Sequence, residues 1–407
     1  MALRRKLIPL ALALAVDMLG SGVLLPVSLL YFTNVTGMRL STVGPVLSIA
    51  ALASLPVPLI VGHFADRTRP LDRVLAAQVL QGAAYAAFGL VRGPVTLLIV
   101  AIVAALGQRL FWSSFFSVVA GLAEPGEDGH HADRRFAVAG MIQMGATGVG
   151  ALLGGLAVAY SWYQPVVYFN AASFLISAIL LLFVPRDARP TAREHVRGGY
   201  DALLRDRPYL LLIAVNTIFA LCSIFVGVAV PVYLVDGLPA PHWLVGPLLA
   251  ANTVLLASGQ QLAVRLLRRL SRAQSLALAG AFWVAWAIVY AAAVHVPAWA
   301  LVPYLLAGML LYAAADVVHA PISNSLSAAA APAAQRGRYL AVYQYTFAFA
   351  NILAPTFFTA LYARGAAVPW LTLATVTAVA TAVMWRLRTS LAAREKAPQP
   401  ASDPAAA

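Results

Sequence analysis

One cysteine, two lysines and 15 acidic residues are the whole supply of those types in 407 residues. Cys222 cannot close an internal disulfide, and inside an apolar run it reads as a packing residue. Charge is scarce altogether: 11% of residues are charged and 61% hydrophobic, where a soluble domain has about 25% and about 45–50%. That balance excludes a soluble globular fold. No Gly-x-x-x-x-Gly-Lys-Ser/Thr loop occurs, so no ATP motor is encoded here. The formal charge of +13 does not point to nucleic acid, because the basic residues lie scattered between apolar runs and form no patch or reading helix. His130 and His131 sit in an acidic, glycine-containing loop with no further ligand at metal-like spacing, and neither a metal nor a cofactor is implied.

Long apolar runs fill the chain. Twelve are long enough to cross about 30 Å of hydrocarbon, approximately 7–32, 42–62, 74–92, 94–122, 136–160, 165–184, 209–235, 243–264, 275–295, 297–328, 339–363 and 368–387. Each must be helical, since a backbone group in lipid needs a partner within its own segment. With the N-terminus inside, 24 of the 28 lysines and arginines fall in inner segments, as positive-inside topology requires. Trp162, Trp243, Trp299 and Trp370 sit in or beside the last four outer loops, where interfacial aromatics belong. A cleaved signal peptide at residues 1–15 would spoil this alternation, so both termini are expected in the cytoplasm. The arginine-rich, lysine-poor composition hints at a bacterial source and hence a bacterial cytoplasmic membrane.

The inner segment 185–208 is the longest and divides the spans into two sets of six. The expected organisation is a six-helix bundle over 1–184, this loop, a second bundle over 209–387 and a disordered cytoplasmic tail from 388. The halves echo each other: "VGPVLS" (43–48) opens span 2 and "VGPLLA" (245–250) opens span 8. Arg109 in span 4 precedes Glu124-Pro125 by the same fifteen residues as Asp316 in span 10 precedes Ala331-Pro332. Repeated halves with a substrate site at their interface are a recurring transporter plan.

The segment "GHFADRTRPLDR" (62–73) resembles the loop signature of the major facilitator superfamily, with Gly62, Asp66 and Arg67 in place and Arg73 standing in for a later basic position. The resemblance implies that Asp66 and Arg67 latch the cytoplasmic side during alternating access. "DMLGSGVLLPV" (17–27) looks like the Asp-x-x-Gly-x-Gly-x-x-x-Pro pattern of the twelve-span drug:proton antiporters, matched at Asp17, Gly20, Gly22 and Pro26. In span 5, Gly150, Gly154 and Gly155 match the antiporter glycine motif, but Ala151 stands where that motif has proline. Close helix packing alone would also account for those glycines.

The fold class implied is all-α, twelve transmembrane helices in two six-helix bundles related by pseudo-symmetry. Asp17 lies ten residues into span 1 and so near the midplane, where a charge costs roughly 2.5–3.5 kcal/mol on insertion scales. It could carry a proton, or pair permanently with Arg109. Arg109, Trp112 and Phe116 share a helical face at i, i+3 and i+7, and the family resemblance places an arginine implicated in proton transfer near this position. Asp316 and His319 share a face of span 10 at i and i+3 and are further candidates for proton coupling, although a lone histidine is as often a hydrogen-bonded packing residue. Gln143, Asn216, Asn252, Gln344 and Asn351 are helix-to-helix contacts or, for a minority, cavity positions. The expected function is a proton-coupled exporter of small amphipathic molecules such as antibiotics, acting as a monomer in the bilayer without nucleic acid. The alternatives are a metabolite importer or uniporter, a non-transporting sensor, or a membrane enzyme, the last disfavoured by short loops without a nucleophile–base pair.

Overall fold

The computed structural model describes residues 2–63, 68–121, 129–184, 201–267, 270–332 and 335–396. Among them every regular element is helical: α1 (Ala2–Leu24), α2 (Ser28–Asn34), α3 (Leu40–Ala53), α4 (Val57–His63), α5 (Pro70–Ala86), α6 (Pro94–Gly121), α7 (Gly129–Ala159), α8 (Tyr163–Leu182), α9 (Asp201–Arg205), α10 (Arg207–Val232), α11 (Val245–Leu266), α12 (Arg272–Ala292), α13 (Ala298–Ala330), α14 (Arg336–Tyr362) and α15 (Val368–Lys396), with short 3₁₀ and π turns between some of them.

Seven described helices are long and apolar enough to cross a membrane, and α1 with α2 makes an eighth if a bend of 46° is allowed. The bend falls at Pro26, which has no N–H to give and whose ring crowds the carbonyl four residues back. The first expected run, 7–32, is thus a broken helix. Pro56 divides the second run in the same way, between α3 and α4. Elsewhere local chemistry sets the ends. Ser271 and Gln274 close a reciprocal capping box at the start of α12, with Gln274 N donating to Ser271 Oγ at 3.2 Å and Ser271 N to Gln274 Oε1 at 2.9 Å. Asp206 Oδ1 accepts from Tyr209 N at 3.2 Å at the start of α10, and Asp206 Oδ2 accepts from Tyr339 Oη at 3.3 Å. The tail expected to be disordered from 388 is helical as far as Lys396, where Leu, Ala, Arg, Glu and Lys are all good helix formers.

The helices are inside out by the standard of a soluble protein. On α8, Leu175, Ile176, Ile179 and Leu182 are exposed while Asn170, Ser173 and Ser177 are buried. Apolar side chains facing outward suit hydrocarbon, and inward polar groups bond to neighbouring helices. Contacts gather the chain into two compact units. The first is Met1–His195 with Phe225–Val254 and Ile352–Ala366; the second is Val196–Ile224, Leu255–Asn351 and Ala367–Ala407.

Candidate functional site

In the first unit, α1 presents Asp17, Gly20, Ser21 and Leu24 along one stripe, at i, i+3, i+4 and i+7. The Asp17 side chain is 1% exposed. Ser21 Oγ donates to Asp17 Oδ1 at 3.3 Å, and Gln78 Nε2 on α5 donates to Asp17 Oδ2 at 2.6 Å. The same Nε2 also donates to Ser177 Oγ on α8 at 3.1 Å. One turn further along α1, the missing side chain at Gly20 lets Ser173 and Asn170 of α8 lie against the backbone. The carboxylate therefore points into the packing of α1, α5 and α8 and takes its hydrogen bonds from neutral groups, not from Arg109.

Amide and hydroxyl dipoles offset only part of what an ion loses on leaving water. A buried carboxylate with no cation bonded to it among the described residues can be relieved of its charge by one proton, so proton exchange is chemistry available here. Gln78 Oε1 and both amide atoms of Asn170 are buried without hydrogen-bond partners, a rare condition for polar atoms in a packed interior.

Arg109 lies on α6, partly exposed. Trp112 meets Phe111 edge-on at 5.1 Å and lies 6.0 Å from Phe116, which is half exposed. Of the loop signature, Gly62 closes the last turn of α4, while Asp66 and Arg67 lie outside the described residues. Arg73 is described and ties three pieces together. Its Nη1 donates to Thr68 O at 2.9 Å and Thr68 Oγ1 at 2.8 Å, and its Nε donates to the buried Ser114 Oγ of α6 at 3.2 Å.

The span-5 glycines are contact points. A side chain at Gly150 would strike the Leu19 carbonyl oxygen on α1, one at Gly154 the Val23 carbonyl oxygen, and one at Gly155 the backbone of Gly246 on α11. Gln143 is partly buried on α7, and Asn252 on α11 is partly buried with Oδ1 unpartnered. Gln344 and Asn351 are exposed on α14, Asn351 Nδ2 donating to Phe347 O at 2.8 Å.

The second unit holds a comparable cluster between α10 and α13. Asp316 accepts from Ser223 Oγ at 2.7 Å, and Tyr312 Oη donates to Ser223 O at 2.7 Å while standing 3.5 Å from Asp316 Oδ2. His319 Nε2 donates to Asn216 Oδ1 at 2.8 Å, and Asn216 Nδ2 donates to Thr346 Oγ1 on α14 at 2.9 Å. The imidazole stands edge-on to Trp283 at 5.0 Å and to Phe219 at 6.1 Å. Asn216 is fully buried, so it bridges α10, α13 and α14 and does not form an open wall. Cys222 is buried too, its Sγ 3.2 Å from Thr377 Oγ1.

Sequence reasoning passed over Gln78, Ser177, Ser223, Tyr312 and Thr346. Gln78 had a signal, being an amide in an apolar run like the others that were singled out. The hydroxyls carry none, since Ser and Thr are common in membrane helices.

The sequence profile of the Major Facilitator Superfamily matches residues 10–355. Among curated proteins, the multidrug resistance protein MdtH of Photorhabdus laumondii subsp. laumondii is 25% identical over 225 residues, 54% of this chain and 55% of that protein. MdtH of Edwardsiella ictaluri is 25% identical over 219 residues, 54% and 53% of the respective chains. The chain thus spans about half the length of the curated relatives it matches. Among solved structures, the nucleoside transporter NupG aligns with a TM-score of 0.75 at 13% identity, over 96% of this chain and 99% of that one. A peptide transporter POT aligns with a TM-score of 0.76 at 14% identity, over 95% of each. At such identities the structural likeness is one of fold. Taken with the profile match over most of its length, it agrees with the helices described above: the chain belongs to the major facilitator superfamily of transporters.

Proposed function

We propose that the chain is a proton-coupled exporter of small amphipathic molecules, with twelve spans in two six-helix halves and both termini in the cytoplasm of a bacterium. The observation that carries the reading is Asp17, a fully buried carboxylate on α1 bonded by neutral groups in an Asp-x-x-Gly-x-Gly-x-x-x-Pro setting. A group placed so can take a proton on one side and release it on the other as access alternates. The name of the MdtH relatives supports a drug-like substrate. Twelve spans and the inward termini rest on the apolar runs and the arginine asymmetry. Arg73 supports the gate role of the α4–α5 connection by fixing Thr68 against α6.

The test is accumulation of ethidium or tetraphenylphosphonium in cells. Expression should lower accumulation of at least one of these cations several-fold, and a protonophore should abolish the difference. Equal accumulation with and without the protein across a panel of lipophilic compounds would count against export. A second reading, import of a metabolite, is favoured by Ala151 standing where the antiporter motif has proline. It predicts protein-dependent uptake of a polar solute and no effect on lipophilic dyes.

A further inference from the structure

Asp17 and Gln78 are in direct contact, Gln78 Nε2 and Asp17 Oδ2 being 2.6 Å apart. The two ends of a glutamine amide are nearly equal in size and opposite in function, one donating twice and the other accepting. With Nε2 towards Asp17, both its hydrogens are used, on Asp17 Oδ2 and on Ser177 Oγ, while Oε1 faces the interior unpartnered. That arrangement serves a carboxylate. If Asp17 carries a proton on Oδ2, the donor has nothing to donate to, and a half-turn of the amide restores the match at Asp17: Asp17 O–H donates to Oε1, and the Ser177 hydroxyl donates to the same oxygen, while Nε2 takes the position that Oε1 held. No heavy atom outside the amide has to move.

We propose that Gln78 is the positioning residue of the proton site, an amide that keeps Asp17 hydrogen-bonded in both protonation states by exchanging its two ends. The inference rests on the reading that Asp17 carries the proton. Among the described residues, few ionisable groups compete at this level. α5 brings Tyr85, stacked on Phe174, with Asp72 and Arg73 at its far end. α8 carries Tyr163 and Tyr168 towards its start, and the described side chains of α7, from 138 to 159, include none. Arg109 stands on α6. Among the described residues, Gln78 is thus the side chain that hydrogen-bonds Asp17 from another helix.

Infrared spectroscopy of purified protein across a pH titration tests this without a transported substrate. The Asp17 acid band is the carboxyl C=O band that Asp17→Asn removes. With glutamine carrying ¹³C at its δ-carbonyl, one amide band should move to lower frequency as the Asp17 band grows, because Oε1 gains hydrogen bonds. Gln78→Met should abolish that movement and raise the midpoint of the acid band by about one pH unit, since a carboxylate loses more than an acid does when its partner goes. Gln78→Lys, a donor that cannot accept, should lower the midpoint by about one to three units. An acid band that titrates while no glutamine band follows it, or midpoints unmoved in whichever of the two variants folds, overturns the role given to Gln78 and leaves Asp17 as proton carrier. A wild-type protein with no band that Asp17→Asn removes at any pH overturns the proton reading itself, and this inference with it.

Discussion

Asp17 and Asp316 are both buried and both bonded by neutral groups, yet their surroundings differ in how they can respond. Gln78 offers Asp17 either a donor or an acceptor. Tyr312 has one hydroxyl proton, and at 2.7 Å from Ser223 O it is committed to the backbone, so Asp316 depends mainly on Ser223. His319 and Asn216 form a tie between helices, and removing one partner leaves the other buried and unsatisfied. Asn216→Leu is expected to destabilise the protein by about 1–3 kcal/mol, seen as a lowered melting temperature in detergent. An unchanged melting temperature would mean that this bridge holds nothing. The carboxylates were legible in the sequence because a charge in an apolar run has no cheap explanation. Gln78 carried the weaker signal of an amide in an apolar run, but its role was not legible, because its partner lies 61 positions away and such an amide has many ordinary uses.

The two copies of the Val-Gly-Pro step make comparable contacts. Gly44, in the first copy of the Val-Gly-Pro step, lies against Pro355 and Thr359 of α14, and Gly246, in the second, lies against Gly155 of α7. In both copies a small residue near a helix start admits another helix at backbone distance. The glycine motif of α7 works likewise against α1. Gly150→Leu should therefore cut the yield of folded protein severely, whereas Gly145→Ala, where a Cβ meets nothing within 4 Å, should be neutral or stabilise by up to about 1 kcal/mol through helix propensity. Size-exclusion profiles and melting curves of the two variants check this, and equal behaviour would contradict the contact. Arg73 makes a second prediction at this scale. Arg73→Leu removes the bonds to Thr68 and Ser114 and should slow transport by at least several-fold while the protein still reaches the membrane; wild-type export of ethidium would demote this arginine to a topology signal. The length of the apolar runs indicated where these helices lie. The breaks at Pro26 and Pro56 were written in the sequence as well, but proline is tolerated in membrane helices often enough that each run read as one span.

For the whole molecule, hydropathy and arginine distribution pointed to a polytopic membrane chain, because lipid leaves a spanning chain few options, and the resemblance of residues 62–73 to a loop signature pointed to the superfamily. Tertiary placement was not legible: nothing in the order of residues says that the Asp17 stripe of α1 faces α5 and α8. The orientation is open to direct measurement. In a Cys222→Ser background, cysteines placed at Arg197 and Ser402 should resist an impermeant maleimide in intact cells and react after lysis; labelling of either in intact cells would reverse the topology. The central claim is that Asp17 carries the coupling proton, and transport in proteoliposomes under an imposed pH gradient addresses it most directly. The wild-type protein should drive ethidium or tetraphenylphosphonium against its own gradient. Asp17→Asn, which keeps the shape and cannot change charge, should lose that uphill movement and retain downhill exchange. An Asp17→Asn protein that still pumps uphill at the wild-type rate would contradict the account.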